Sequence, residues 1–203
     1  VHQVHATLAL EQFTEQMRRA VAALTLRGGA STRGEATAIV GRTMAERDDR
    51  TVNQSVRLLR AMYPWQCNVS GGSGYLSGLE PDLLGEAMVH RTLSLEGGDA
   101  GAYLDRVLEG AGEDAIRTAF VVLGRLSEEH PEDAEPWIKH ALESDVASRA
   151  VAAFEAAKSV GERTALARLG MVLARTLERE GTIDIAVRVE KAGLPERTVS
   201  LRE

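Results

Sequence analysis

The sequence predicts a mainly α-helical protein in two parts. Residues 1–96 read as a winged-helix-like domain with a small β-hairpin, and residues 97–203 as an all-α superhelical scaffold of helical hairpins. Three observations predict this. Apolar residues recur every three or four positions through most of the chain, the period of one helix face. One short segment breaks that rhythm: the glycine-rich turn Ser70-Gly71-Gly72-Ser73-Gly74, with β-capable residues on both sides. Charge then shifts along the chain, with 10 Arg against 9 acids in residues 1–95 and 14 cations against 21 acids in residues 96–203.

The first helix is expected over residues 8–26, with Leu10, Phe13, Met17, Val21 and Leu24 on one face and Gly28-Gly29 as its stop. Thr32 and Glu35 form a capping-box pattern that opens a second helix ending near Met44. A third helix is capped by Asp49 or Thr51, buries Val52, Val56, Leu59 and Met62, and stops before Pro64. Trp65-Gln66-Cys67-Asn68-Val69 and Tyr75-Leu76 then read as the arms of a hairpin around the glycine turn. Three helices followed by a hairpin is the order of a winged helix. Helix resumes at Glu80-Pro81-Asp82, where proline and acids suit a first turn, and runs to about Leu95.

Gly97-Gly98 marks the domain boundary. Beyond it, helices are expected near residues 99–110, 113–129, 133–143, 145–159, 162–180 and 182–192, with Asp133, Ser144 and Thr182 as caps. Pairs starting near Glu113 and Asp145 are spaced like helical-hairpin repeats of the tetratricopeptide or HEAT kind. The expected core here is Val121, Val122, Leu126, Trp137, Ile138, Leu142, Val151, Phe154, Leu166, Leu169, Leu173, Leu177, Ile183 and Val187.

Composition excludes several classes of function. The chain has 203 residues, 44% hydrophobic and 27% charged, enough to bury an aliphatic core without staples. Cys67 is the only cysteine, so no intrachain disulfide or cysteine zinc cluster can form. No apolar run approaches a membrane span, and a cytoplasmic protein without a membrane partner is expected. The chain opens on Val1 rather than Met, which reads as a piece of a longer protein. A formal net charge of -6 argues against a nucleic-acid partner.

No motif for chemistry emerges. There is no Gly-x-x-x-x-Gly-Lys-Ser/Thr phosphate loop, no His-Glu-x-x-His metal motif and no Gly-x-Ser-x-Gly elbow. His2, His5, His90, His130 and His140 do not converge in sequence, so a metal site could arise only through tertiary structure, and the acid pairs Asp48-Asp49, Glu128-Glu129 and Glu132-Asp133 sit at helix ends, where capping explains them. No catalytic, cofactor or metal residue is therefore expected, and the chain does not read as an enzyme. Arg57, Arg60 and Trp65 remain as interaction candidates. The two arginines are three apart and share a helix face, which reads most simply as a solvated face. Trp65 either anchors a partner or fills the space between wing and helix, and the core role is the expected one.

Four stretches resemble the region after the NTPase core of bacterial STAND-type, NLR-like NTPases. They are residues 17–30, Val56-Arg57-Leu58-Leu59-Arg60-Ala61-Met62-Tyr63-Pro64, Leu79-Glu80-Pro81-Asp82-Leu83-Leu84-Gly85-Glu86 and residues 194–203. The resemblance implies a winged helix followed by a tetratricopeptide-like sensor, an NTPase domain upstream in the same chain, and ATP or ADP bound only by that parent. Glu80, Pro81 and Asp82 occupy the place of the nucleotide-sensing Met-His-Asp motif of related immune receptors. The histidine is absent, Glu80 would repel phosphate and Pro81 has no N–H to donate. What this implies is a regulatory, non-catalytic fragment that couples nucleotide state to partner sensing and oligomerisation. The alternative is a DNA-binding winged-helix transcriptional regulator with a helical effector domain.

Overall fold

The computed structural model describes residues 2–44, 48–65, 74–79, 83–159 and 165–192. The protein is mainly α-helical, and its contacts divide it into two compact units, residues 1–96 and 97–203.

In the first unit, α1 spans His2–Arg27, α2 Arg33–Thr43, α3 Asp49–Met62 and α4 Leu83–Glu96. Helix α1 packs against α2 and α4, and α2 against α3. Their core is small and aliphatic: Ala20, Ala23, Leu24, Leu26, Ile39, Val40, Val52, Val56, Leu59, Val89 and Leu93 are all buried. Arg19 joins α1 to α4 through Glu96 at 2.9 Å. Thr32 caps α2 as expected, its hydroxyl accepting from the Glu35 N–H at 3.1 Å. The Glu35 carboxylate reaches back to the Ser31 N–H at 2.8 Å and pairs with Arg27 at 3.4 Å. Burial pushes the Arg27 guanidinium below its ordinary pKa, against the opposing pull of Glu35. The cap of α3 is Asp48 rather than Asp49 or Thr51. Its carboxylate accepts the Thr51 N–H at 2.9 Å and the Thr51 hydroxyl at 2.6 Å.

The expected hairpin of residues 65–69 with Tyr75-Leu76 needs correction. No strand forms among the described residues. Leu76 instead makes isolated antiparallel bridges to Ala30 on one side and Pro64 on the other. The Ala30 N–H donates to the Leu76 carbonyl at 2.8 Å, and the Ala30 carbonyl accepts from Tyr75 and Leu76 at 2.9 and 3.0 Å. Pro64 has no N–H to donate, so a ladder cannot lengthen through it. Residues 66–73, which would supply one arm and the turn, lie outside the described residues.

Glycines allow this junction to close. Gly29 takes φ +103, and a Cβ there would collide with the Leu76 carbonyl oxygen. A Cβ on Gly78 would sit 2.7 Å from the carbonyl oxygen of Leu24 and 3.2 Å from the Gly29 nitrogen. The end of α1 and the segment after Leu76 therefore touch backbone to backbone.

The second unit opens with a 3-10 turn at Gly97–Asp99, in which Gly97 has φ +55. Helices α5 Ala100–Leu108, α6 Glu113–Glu129, α7 Pro131–Glu143, α8 Val146–Ser159, α9 Ala165–Glu180 and α10 Ile183–Lys191 follow. Helix α6 lies against α7, α8 and α9, and α9 also meets α7 and α8, so the four share one core. Phe120, Leu123, Ile138, Leu142, Phe154 and Leu173 fill it. Helix α5 packs on α7 through its own buried face, and α10 packs on α8.

Several expected details differ here. Helix α7 begins at Pro131, so Asp133 lies in its first turn instead of capping it. Ser144 closes α7, and Asp145 takes the N–H of Ser148 at 3.2 Å. Thr182 caps α10 as expected. Val121, Val151 and Leu177 are half-buried, and Leu166 lies among residues whose side chains are not described. Ile183 and Val187 are not core residues: they are 86% and 39% exposed, because α10 buries only Ile185.

Candidate interaction surface

Helix α3 builds the clearest candidate surface. Val52, Val56 and Leu59 follow the helical period on its buried side, and the next position on that side is Tyr63. Met62, expected in the core, falls one position short and is 57% exposed. It joins Leu58, at 39% exposure, one turn earlier on the same edge. Arg50, Gln54, Arg57 and Ala61 form the neighbouring exposed row.

Of the residues singled out in the sequence, the structure brings two into one cluster. Arg60 is exposed and its guanidinium lies 4.4 Å from the centroid of the Tyr75 ring. Trp65 is 36% exposed, so it is not the core residue expected. Its indole lies against the backbone of Gly74, where any Cβ would collide with the ring. Gly74 and Tyr75 are adjacent, so one short segment seats both side chains. Arg57 projects from the exposed row and has no ion-pair partner among the described residues. Glu80, Pro81 and Asp82 lie outside the described residues. Leu58, Ala61, Met62 and Tyr75 were missed by sequence reasoning. The signal for Leu58 and Met62 was their spacing, four apart and out of phase with the buried row.

The second unit holds one linked polar group. His140 Nε2 is 2.9 Å from Asp105 Oδ2, and Arg149 lies 3.7 Å from Oδ1 while donating to the Ala141 carbonyl at 2.7 Å. Partial burial works against ionisation of Asp105. Hydrogen bonds from Ser144 and His140, with the Arg149 charge, outweigh it and hold the carboxyl below its ordinary range. The His140 ring lies flat against Gly101, leaving no room for a Cβ. These contacts fasten α5 to α7 and α8. A groove of about 360 Å³ between α7 and α9 is lined by Glu135, Lys139, Val172, Arg175 and Arg179. Its cations are taken up by Glu135 and Glu143.

No family model, curated protein or solved structure matches this chain. No helix among the described residues is long and apolar enough to cross a membrane. Helix α3 with its exit exposes apolar side chains at Leu58, Met62 and Trp65 beside cations at Arg57 and Arg60. Such a mixture of aromatic, methionine and arginine suits a protein interface.

Proposed function

We propose that the chain is a non-catalytic regulatory fragment of a STAND-type NTPase. In this reading the first unit is a winged helix that couples the nucleotide state of an upstream NTPase domain to partner sensing and oligomerisation. The second unit is a helical sensor scaffold of the hairpin-repeat kind. The observation that carries the proposal is the position of Leu76 between Ala30 and Pro64. The described elements run helix, β-bridge, helix, helix, β-bridge, β-bridge, and this order supports reading the unit as a winged helix with its strands reduced to single bridges. Such a module acts by making different contacts in closed and open states, so that it biases the equilibrium between them. Nucleotide binding belongs to the parent, and the site of action is cytoplasmic.

The sequence upstream of Val1 tests this reading. A Gly-x-x-x-x-Gly-Lys-Ser/Thr loop on a strand-to-helix turn supports it, and a start codon a few residues before Val1 removes it. Calorimetric titration of the chain with ATP and ADP in magnesium should give no binding heat. Micromolar, magnesium-dependent binding would contradict the non-catalytic assignment.

One observation favours a second reading, a DNA-binding regulator. Arg50, Gln54 and Arg57 share the exposed row of the helix that reads the major groove in DNA-binding winged helices. A sequence-selective gel-shift complex, lost on Arg57→Glu and Arg60→Glu, would establish it.

A further inference from the structure

We infer that the exposed face of α3 is a docking site for an acidic amphipathic helix of a partner protein. The inference rests on the proposed partner-binding role of the first unit and specifies the partner's chemistry.

Charge complementarity sets the sign of the partner. From Arg50 to Leu79 the sequence contains no Asp or Glu, while Arg50, Arg57 and Arg60 all lie in that stretch. All three arginines are exposed, and neither Arg57 nor Arg60 has an ion-pair partner among the described residues. Asp48 and Asp49 at the start of α3 lie beside Arg50 and offset it, so the excess cations are Arg57 and Arg60 on the later turns. Two cations are few against the several phosphates that nucleic-acid binding neutralises. They match two carboxylates, which Arg can hold through paired hydrogen bonds.

Shape sets the form of the partner. Leu58, Ala61 and Met62 lie together on about one helical turn, roughly 6 Å, at the end of α3, and exposed Trp65 follows three residues beyond the helix end. Ala61 is small and exposed beside Leu58 and Met62, so an opposing helix can approach closely there. A peptide added as a β-strand needs a free strand edge. Leu76 already pairs on both sides, and Pro64 lacks a donor.

The surface is also ordered before binding. Tyr75 holds Arg60, and the Gly74 backbone seats Trp65. Side chains fixed in advance lose less freedom on association. Arg, Trp and Tyr are the residue types that carry most binding energy at interfaces.

The test uses the full chain as bait for a displayed library of random 16-residue peptides. Binders are then synthesised and titrated by fluorescence anisotropy. The expected outcome is enrichment of peptides with apolar residues at i, i+4 and i+7 and Asp or Glu beside them. Their binding should weaken about tenfold or more on Met62→Glu and on Arg57→Glu, fall with added salt, and be unchanged by Arg175→Glu in the second unit. Circular dichroism of each variant should match the parent, since both positions are exposed. Peptides without acidic enrichment that still lose binding on Met62→Glu would overturn the acidic partner while leaving the partner-binding role standing. Binders indifferent to both variants would overturn the site. A duplex DNA bound more tightly than any peptide and lost on Arg57→Glu would replace the protein partner with nucleic acid. A concentration-dependent dimer abolished by Met62→Glu, with no peptide bound, would make a second copy the occupant.

Discussion

Replacing Gly29 with alanine tests how the first unit closes. The native φ of +103 is open to glycine and costs an L-residue at least about 1–2 kcal/mol. The new Cβ would also collide with the Leu76 carbonyl oxygen, a backbone atom that cannot rotate away. Relief requires separating the segment that holds the Ala30-to-Leu76 hydrogen bond at 2.8 Å and the two bonds returned to the Ala30 carbonyl. Each such bond contributes about 1 kcal/mol net, so the total loss should reach about 3–5 kcal/mol. Gly78→Ala lacks the unfavourable φ but places its Cβ 2.7 Å from the Leu24 carbonyl oxygen, which predicts a loss of about 1–3 kcal/mol. Trp65 lies in the first unit and Trp137 in the second, so a Trp137→Phe background lets fluorescence report the first unit alone in urea. With a slope of about 1–3 kcal/mol per molar, Gly29→Ala should lower the midpoint by roughly 1 M or more. Gly34→Ala, inside α2 with only the Thr32 hydroxyl 3.9 Å away, is the control and should hold or raise the midpoint. If Gly29→Ala and Gly78→Ala both unfold with the parent, the backbone contact is not a closing element and the reasoning fails.

Two further outcomes follow from burial and charge. Ser55 is fully buried in α3 and its hydroxyl has no hydrogen-bond partner among the described residues, so Ser55→Ala should raise the first-unit urea midpoint by about 1 kcal/mol equivalent, and a loss instead would show that the hydroxyl is satisfied. Asp48 is held below its ordinary pKa mainly by the Thr51 hydroxyl, Asp145 mainly by the Ser148 hydroxyl, and Asp105 by hydrogen bonds that outweigh its burial. Each folded value is depressed, so the unfolded chain binds more protons in acid. The stability these carboxylates add is complete above the unfolded value of about 3.9 and is lost as pH falls through the folded values. Urea midpoints should therefore hold level above about pH 5 and fall below pH 4, with the fall reduced in the Asp48→Asn, Asp105→Asn, Asp145→Asn triple variant. An unchanged fall in that variant would assign acid sensitivity elsewhere.

Helices were legible because a period of three to four apolar residues is local information. The start of α2, both ends of α6 and the C-terminal end of α9 came from glycine, proline and cap residues close in sequence. Met62 shows where that reading fails: a repeat of three or four leaves the phase open by one residue, and the true row runs from Leu59 to Tyr63. Ile183 and Val187 have core spacing, yet α10 packs on α8 through a face that leaves them exposed, since periodicity names a face and not its neighbour. The interaction surface was legible in part. Arg57, Arg60 and Trp65 stood out by type, but Tyr75 under Arg60 and Gly74 under Trp65 are set by tertiary contacts. The same holds for Asp105 and His140, which meet across 35 residues.

Both the winged-helix reading and the functional proposal built on it depend on Leu76 lying between Ala30 and Pro64. Proton–proton Overhauser contacts in solution measure this directly. The account predicts contacts from the Leu76 backbone to Ala30 and to Pro64 together, with slowed amide exchange at Ala30 and Leu76. Loss of either set of contacts, or rapid exchange at both amides in a chain whose helices remain protected, would contradict it.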